Sequence, residues 1–216
     1  MKKKMILMGV AAVLVLSAMI GGTLAGFNTQ SEQGRTDIVV KALSIDLLGA
    51  DVAFDSTEIA SVMPGGAVDM PYNVKNDIED SYDLYTRVTI YKYWENRELD
   101  ASKIHLYMTD AGGEKIEITD SGIMGQTVNN WIVFYNDEEQ VVLYYTQPLA
   151  EEAETLNVMD ILAVDASVTN AYADQKVLLE IRADAVQKAV AEKAIPSEWG
   201  VYPIFDENGV LTMIEE

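Results

Sequence analysis

Between Leu84 and Trp94 the chain alternates with a period of two: Leu84, Val88, Ile90 and Trp94 fall on one parity, and Tyr85, Arg87, Thr89, Tyr91 and Tyr93 on the other. A strand sends successive side chains to opposite faces, so this spacing predicts a β-strand with one apolar and one mixed face. The residue types agree, because aromatic and β-branched side chains suit a pleated, half-buried surface. One such strand cannot stand alone, and the sequence supplies partners. Ile104 to Thr109, Lys115 to Thr119, Trp131 to Tyr135 and Val141 to Thr146 are short apolar segments separated by Ala111-Gly112-Gly113, by Ser121-Gly122 and Gly125, and by Asn136-Asp137-Glu138-Glu139. Short strands with turn signals every 8 to 12 residues or so predict an antiparallel sandwich or barrel, with Asn136 to Gln140 as a hairpin loop.

The same reading extends to both sides. Thr36 to Leu47 places Val39, Leu43, Ile45 and Leu47 on one parity, with the polar stretch Asn28 to Arg35 as a flexible tether in front. Pro64-Gly65-Gly66 marks a turn before a strand over Ala67 to Val74, and Asn76 to Asp83 is a second, acidic turn. Beyond Pro148, helix formers and β-branched residues mix. Strands are expected at Asp160 to Val168 and Val177 to Gln187, followed by a short helix from Lys188 to Ala194 that ends ahead of Pro196. The fold class is therefore mainly β, an antiparallel sandwich with short helical insertions.

The N-terminus reads as an export signal helix over residues 1–25. Lys2, Lys3 and Lys4 precede an apolar run from Met5 to Ile20, and Gly21-Gly22-Thr23-Leu24-Ala25 follows it, which places cleavage between Ala25 and Gly26. The apolar run is about 16 residues, short of the roughly 20 that cross a bilayer core, which favours a cleaved signal over a retained anchor. Residues 26–216 then form one sandwich domain, and membrane contact is confined to the signal before cleavage. Cleavage takes the formal charge from −20 to −23, with 12 basic against 35 acidic residues. Nucleic acid binding needs clustered Lys and Arg, and the chain from Gly26 onward has no such run. No cysteine occurs, so the fold must rest on its apolar core without disulfides.

Catalytic chemistry finds little to work with. His105 is the single histidine and no cysteine is present, whereas a zincin-type site needs two histidines four apart on a helix with a glutamate beside the first. A serine triad would have to use His105, and no Gly-x-Ser-x-Gly elbow accompanies it. Flanked by Ile104 and Leu106, His105 reads as a half-exposed strand residue. Acidic clusters at Asp77-Glu79-Asp80-Asp83, Asp137-Glu138-Glu139 and Glu151-Glu152-Glu154 carry the oxygen ligands that calcium takes, but none has EF-hand spacing, and solvated charge explains them better. No cofactor is implied. The aromatic face of Leu84 to Trp94, with Trp131, Tyr144 and Tyr145, offers the alternative of a secreted glycan- or wall-binding module; packing between sheets accounts for the same residues.

Gly21-Gly22-Thr23-Leu24-Ala25-Gly26-Phe27 resembles the junction cut by SipW-type signal peptidases. Further segments are similar in the same order: Met63-Pro64-Gly65-Gly66 before Asn73-Val74-Lys75-Asn76, Asp83 to Ile90 around Arg87, Tyr144 to Leu149 ahead of an acidic linker, Ala183-Asp184-Ala185-Val186-Gln187, and Trp199-Gly200-Val201. In this conjunction the chain resembles the TasA/camelysin family of bacterial surface and biofilm-matrix proteins. The resemblance implies a jelly-roll-like sandwich, export, and incorporation into extracellular matrix fibres in which the N-terminal segment of one subunit completes the sheet of the next. The donor implied here comprises Ile38, Val39, Val40, Leu43, Ile45 and Leu47, and the partners are further copies of the chain, with other matrix proteins as additional candidates. Camelysin-type relatives are classed as metalloproteases, an activity that the zinc-ligand test above does not support for this chain.

Overall fold

The computed structural model describes residues 63–77 and 82–216, together with the backbone of four short strands before them. Those four are β1 (Thr29–Gln30), β2 (Ile45–Gly49), β3 (Val52–Ala53) and β4 (Thr57–Ile59). Then come β5 (Ala67–Asn76), β6 (Leu84–Trp94), β7 (Ile104–Thr109), β8 (Lys115–Glu117), β9 (Thr127–Val128), β10 (Trp131–Asn136), β11 (Gln140–Tyr145), β12 (Met159–Val164) and β13 (Val177–Gln187). A helix, α1 (Ala191–Trp199), and a hairpin of β14 (Tyr202–Phe205) and β15 (Leu211–Glu215) close the chain.

Two antiparallel sheets result. One runs β1-β13-β6-β11-β10-β9, with β4 also on β13; the other runs β3-β2-β5-β12-β7-β8. Consecutive strands repeatedly change sheet, β5 to β6, β6 to β7, β11 to β12 and β12 to β13. The inner faces meet in one core. Val88, Ile90 and Trp94 of β6, Val141 and Leu143 of β11, and Leu179, Ala183 and Ala185 of β13 pack with Val74 of β5, Leu106 and Met108 of β7 and Leu162 of β12. Each set keeps one parity on its strand, which is the period-two pattern made physical.

The outer face of the first sheet is covered over half its length. Tyr85, Ile132, Val142, Tyr144 and Val186 pack beneath Ala191, Ala194, Ile195 and Trp199 of α1 and beneath Leu211 and Ile214 of β15. The molecule thus has a third, partial layer.

The boundaries of β6 and β13 coincide with the sequence expectation, and β5, β7, β8, β10, β11 and β12 lie within a few residues of theirs. The expected strand to Val168 ends at Val164, because Asp165 turns the chain by accepting the backbone N–H of Ser167. The expected stop ahead of Pro196 is corrected: residues Lys188–Val190 form a 3-10 turn and α1 runs through Pro196 to Trp199. Ala191, Ala194, Ile195 and Trp199 are spaced to share one helical face and all are buried. Seating that face on the sheet outweighs the roughly 3 kcal/mol that an internal proline costs. Gly200 then ends the helix in the left-handed conformation, φ +71.

Residues 1–25, with the expected cleavage pair Ala25 and Gly26, lie outside the described residues, as do Ile38, Val39, Val40 and Leu43. Glu79 and Asp80 of the first acidic cluster do too.

Candidate functional site

The N-terminal strands meet the two sheets at their rims. β2 pairs with β5 from Ile45 opposite Asn76 to Gly49 opposite Tyr72, which places Leu47 opposite Val74. Among the described residues its other side carries only the two residues of β3. Of the expected donor segment, Ile45 and Leu47 therefore form a ladder with the chain's own β5. The far side of β5 is secured by β12 and by residues 153–158: Asn76 donates to the Ala153 carbonyl at 3.0 Å, Val74 to the Thr155 hydroxyl at 2.9 Å, and Val158 to the Tyr72 carbonyl at 2.7 Å. β5 is anchored on one side and holds a short strand on the other.

The rim of the first sheet is β13. All eleven of its residues pair with β6, but on the other side β4 covers Val177 to Leu179 and β1 covers Asp184 and Ala185. On that outer side Glu180 to Ala183 have no partner strand among the described residues. The opposite rims are blunter. β10 is screened by β9 and by Gly125, whose N–H donates to the Val133 carbonyl at 2.7 Å, and β8 has three residues. Short or screened edges of this kind resist uncontrolled pairing.

The segment Ala183 to Gln187 has a definite structural task. Ala183 and Ala185 are fully buried in the core, while Asp184 on the other face receives the Arg87 guanidinium through Nε at 3.0 Å and through a second, shorter bond. Trp199 lies over this pair, with the guanidinium 5.3 Å from its ring and Tyr144 packed beside it. The buried Asp184 of β13 is thus matched by the half-buried Arg87 of β6 under α1. Burial pushes the Tyr144 hydroxyl above its ordinary pKa, with Arg87 acting in the opposite direction.

His105 stands on β7 with Nδ1 2.6 Å from Glu117 and Nε2 3.5 Å from Asp165. Glu117 also accepts from Tyr107 and Thr119, at 3.2 and 2.9 Å. Hydrogen bonds from Ser167, reinforced by Lys103 and His105, hold the Asp165 carboxyl down to about 2. The imidazole is a tie between β7, β8 and the 165–168 turn, with no serine or threonine hydroxyl bonded to it among the described residues. Lys92 is 1% exposed, with Nζ 2.7 Å from the Ala101 carbonyl and 2.5 Å from that of Glu138, and burial lowers its pKa to about 8. It closes one end of the sandwich.

The acidic clusters organise turns. Asp137 accepts the N–H groups of Glu139 and Gln140 at 2.8 and 2.7 Å, and Glu154 accepts from Asn73 at 3.0 Å. Among the described residues no group of three or more His, Asp or Glu is placed to hold a metal ion.

The aromatic residues divide. Trp94, Trp131 and Tyr145 belong to the inner core, and Tyr85 and Tyr144 lie under the third layer. Only Tyr91 and Tyr93 of the expected platform stay half-exposed, on the uncovered half of the outer face. With Arg97, Glu139, Glu180 and Arg182 they line a cavity of ≈ 190 Å³. The charged part of this cavity was not anticipated, because Arg97, Glu139 and Arg182 come from three separate segments that only the β6–β13 and β6–β11 pairings bring together.

No family model, no curated protein and no solved structure matches the chain.

Proposed function

We propose that the chain is an exported structural subunit of extracellular surface or matrix fibres, a jelly-roll-like sandwich that self-associates through strand addition and is related to the TasA/camelysin proteins it resembles. The observation that carries the reading is the placement of β2. It lies second from the edge of its sheet and is held by five register positions on β5, with only the two-residue β3 beyond it among the described residues. If it leaves, β5 offers a row of unpaired N–H and C=O groups, and the equivalent segment of a neighbour supplies the matching ladder. The same contacts are made in both arrangements, so exchange costs little enthalpy and its direction follows concentration.

The charge fits an exported, soluble precursor. A formal −23 for the chain from Gly26 keeps free subunits apart by repulsion until a specific ladder forms or salt screens the charge. The repeated changes of sheet along the chain accord with the jelly-roll reading.

Electron microscopy of the chain beginning at Gly26, beside one beginning at Leu48, tests the proposal. Filaments from the first and none from the second are expected, with filament yield rising with salt. If the chain from Gly26 stays monomeric at every concentration and salt level tried, or the shorter chain assembles equally well, the reading fails.

A further inference from the structure

We propose that the uncovered half of the outer sheet face is a binding subsite for a neutral saccharide, formed by Tyr91, Tyr93, Arg97, Glu139, Glu180 and Arg182. The inference stands apart from the fibre reading, since it does not use β2, although Glu180 and Arg182 stand on the β13 rim.

Charge balance is the first argument. In a chain with 35 acidic and 15 basic residues, two arginines and two glutamates line this one cavity. Arg182 Nε donates to Glu180 at 2.8 Å, and Arg97 lies 3.9 Å from Glu139. The four formal charges cancel locally, so the cavity selects for neither anions nor cations by net charge. It does present planar N–H edges, carboxylate oxygens and phenol hydroxyls side by side, the mixture of donors and acceptors that vicinal sugar hydroxyls satisfy.

Preorganisation is the second. Arg97 lies over the Tyr93 ring, 3.1 Å from its centroid, and Arg182 lies 5.6 Å from that of Tyr91. Stacking of this kind fixes the plane of a guanidinium and lowers the entropy lost when it binds. Both tyrosines stand on one face of β6, a strand paired along its whole length by β13 and from Arg87 to Tyr91 by β11, with Tyr91 opposite Glu180 and Gln140. Two residues apart on a strand puts their backbone origins about 7 Å from each other. The Tyr91 ring is the less covered of the two and supplies an apolar surface for the C–H face of a pyranose. The cavity of ≈ 190 Å³ suits a single sugar ring or the end of a chain.

The position of the third layer is the remaining argument. α1 and the β14–β15 hairpin cover the aromatic residues at the other end of this face. The rows through Tyr91 and Tyr93 are not covered by α1 or by the β14–β15 hairpin.

Titration of the ¹⁵N-labelled full chain with maltotriose, cellotriose, triacetylchitotriose and polygalacturonate, followed by amide shifts, tests the proposal. At least one neutral trisaccharide is expected to bind with a millimolar dissociation constant, with shifts centred on residues 91–97 and 180–182. Tyr93→Ala is expected to weaken that binding at least roughly tenfold and Glu180→Gln, which keeps the shape of the site, several-fold, while Tyr202→Ala on the distant hairpin changes nothing. Three results overturn the proposal: no binding of any neutral sugar, binding that survives both Tyr93→Ala and Glu180→Gln, or binding of polygalacturonate alone.

Discussion

Trp131 and Trp199 show how differently two buried indoles can be held. Trp131 is fully buried and its N–H donates to the Leu156 carbonyl at 2.9 Å, whereas the buried N–H of Trp199 has no acceptor among the described residues. Phenylalanine at 131 removes a hydrogen bond, while phenylalanine at 199 removes an unsatisfied donor. Trp131→Phe should therefore lose about 1–2 kcal/mol more stability than Trp199→Phe in urea unfolding; equal losses would contradict the assigned bonding. Lys92 makes a prediction in pH. Its folded pKa of about 8 lies below the ordinary 10.5, so between those values the unfolded chain holds more protons and stability rises with pH. The rise should reach about 2–3 kcal/mol between pH 8 and 10. Tyr85 and Tyr144, both raised above 10 chiefly by burial, act in the opposite sense: the unfolded chain loses their protons first, and stability falls above pH 10. Lys92→Met should abolish the rise, and a rise retained in that variant would show that another group produces it.

At the level of elements, the ion pair of Arg87 and Asp184 joins the middle of β6 to β13 beneath α1. Asp184 is 3% exposed and Arg87 half-buried, so removing the carboxylate leaves a partly desolvated guanidinium without its partner, and Asp184→Ala should lose about 2–3 kcal/mol. α1 itself is strained by its proline. Pro196→Ala should raise the melting temperature by several degrees, since the helix already continues to Trp199; no change would mean that the turn around Pro196 is indifferent to a restored N–H. These elements also show what the sequence made legible. β6 was readable to the residue because its aromatic and β-branched alternation favours a strand, while β13, where helix formers mix with β-branched residues, was placed by the alternation of Leu179, Ile181, Ala183 and Ala185 with Glu180, Arg182 and Asp184. The end of α1 was not, because a proline rule is local while the burial of Trp199 is tertiary. The β14–β15 hairpin was missed although Asp206-Glu207-Asn208-Gly209 carries its turn: Asp206 accepts from Asn208 and Val210, each at 2.8 Å, and Gly209 has φ +77. Four- and five-residue strands give alternation too little length to register. For the outer-face cavity, the sequence supplied Tyr91 and Tyr93, and strand pairing supplied the charges around them.

On the scale of the whole molecule, the sandwich combines a well-secured body with rims built from short, early segments of the chain. The body's two cores sit on either face of the same sheet, so its stability does not depend on which copy of β2 lies beside β5. That independence is the central requirement for a subunit that folds alone and then exchanges a strand. The chain contains no cysteine, so introduced thiols report on exchange without interference. Asp46 lies opposite Lys75 in the β2–β5 ladder. In chains beginning at Gly26 and carrying both Asp46→Cys and Lys75→Cys, dilute protein should close the disulfide within one chain. The decisive measurement mixes two singly substituted chains, one Asp46→Cys and one Lys75→Cys, under assembling conditions and then oxidises them. Exchange of β2 predicts disulfide-linked dimers that appear with the filaments and are missing from dilute monomer; filaments that form without any such dimer would contradict it.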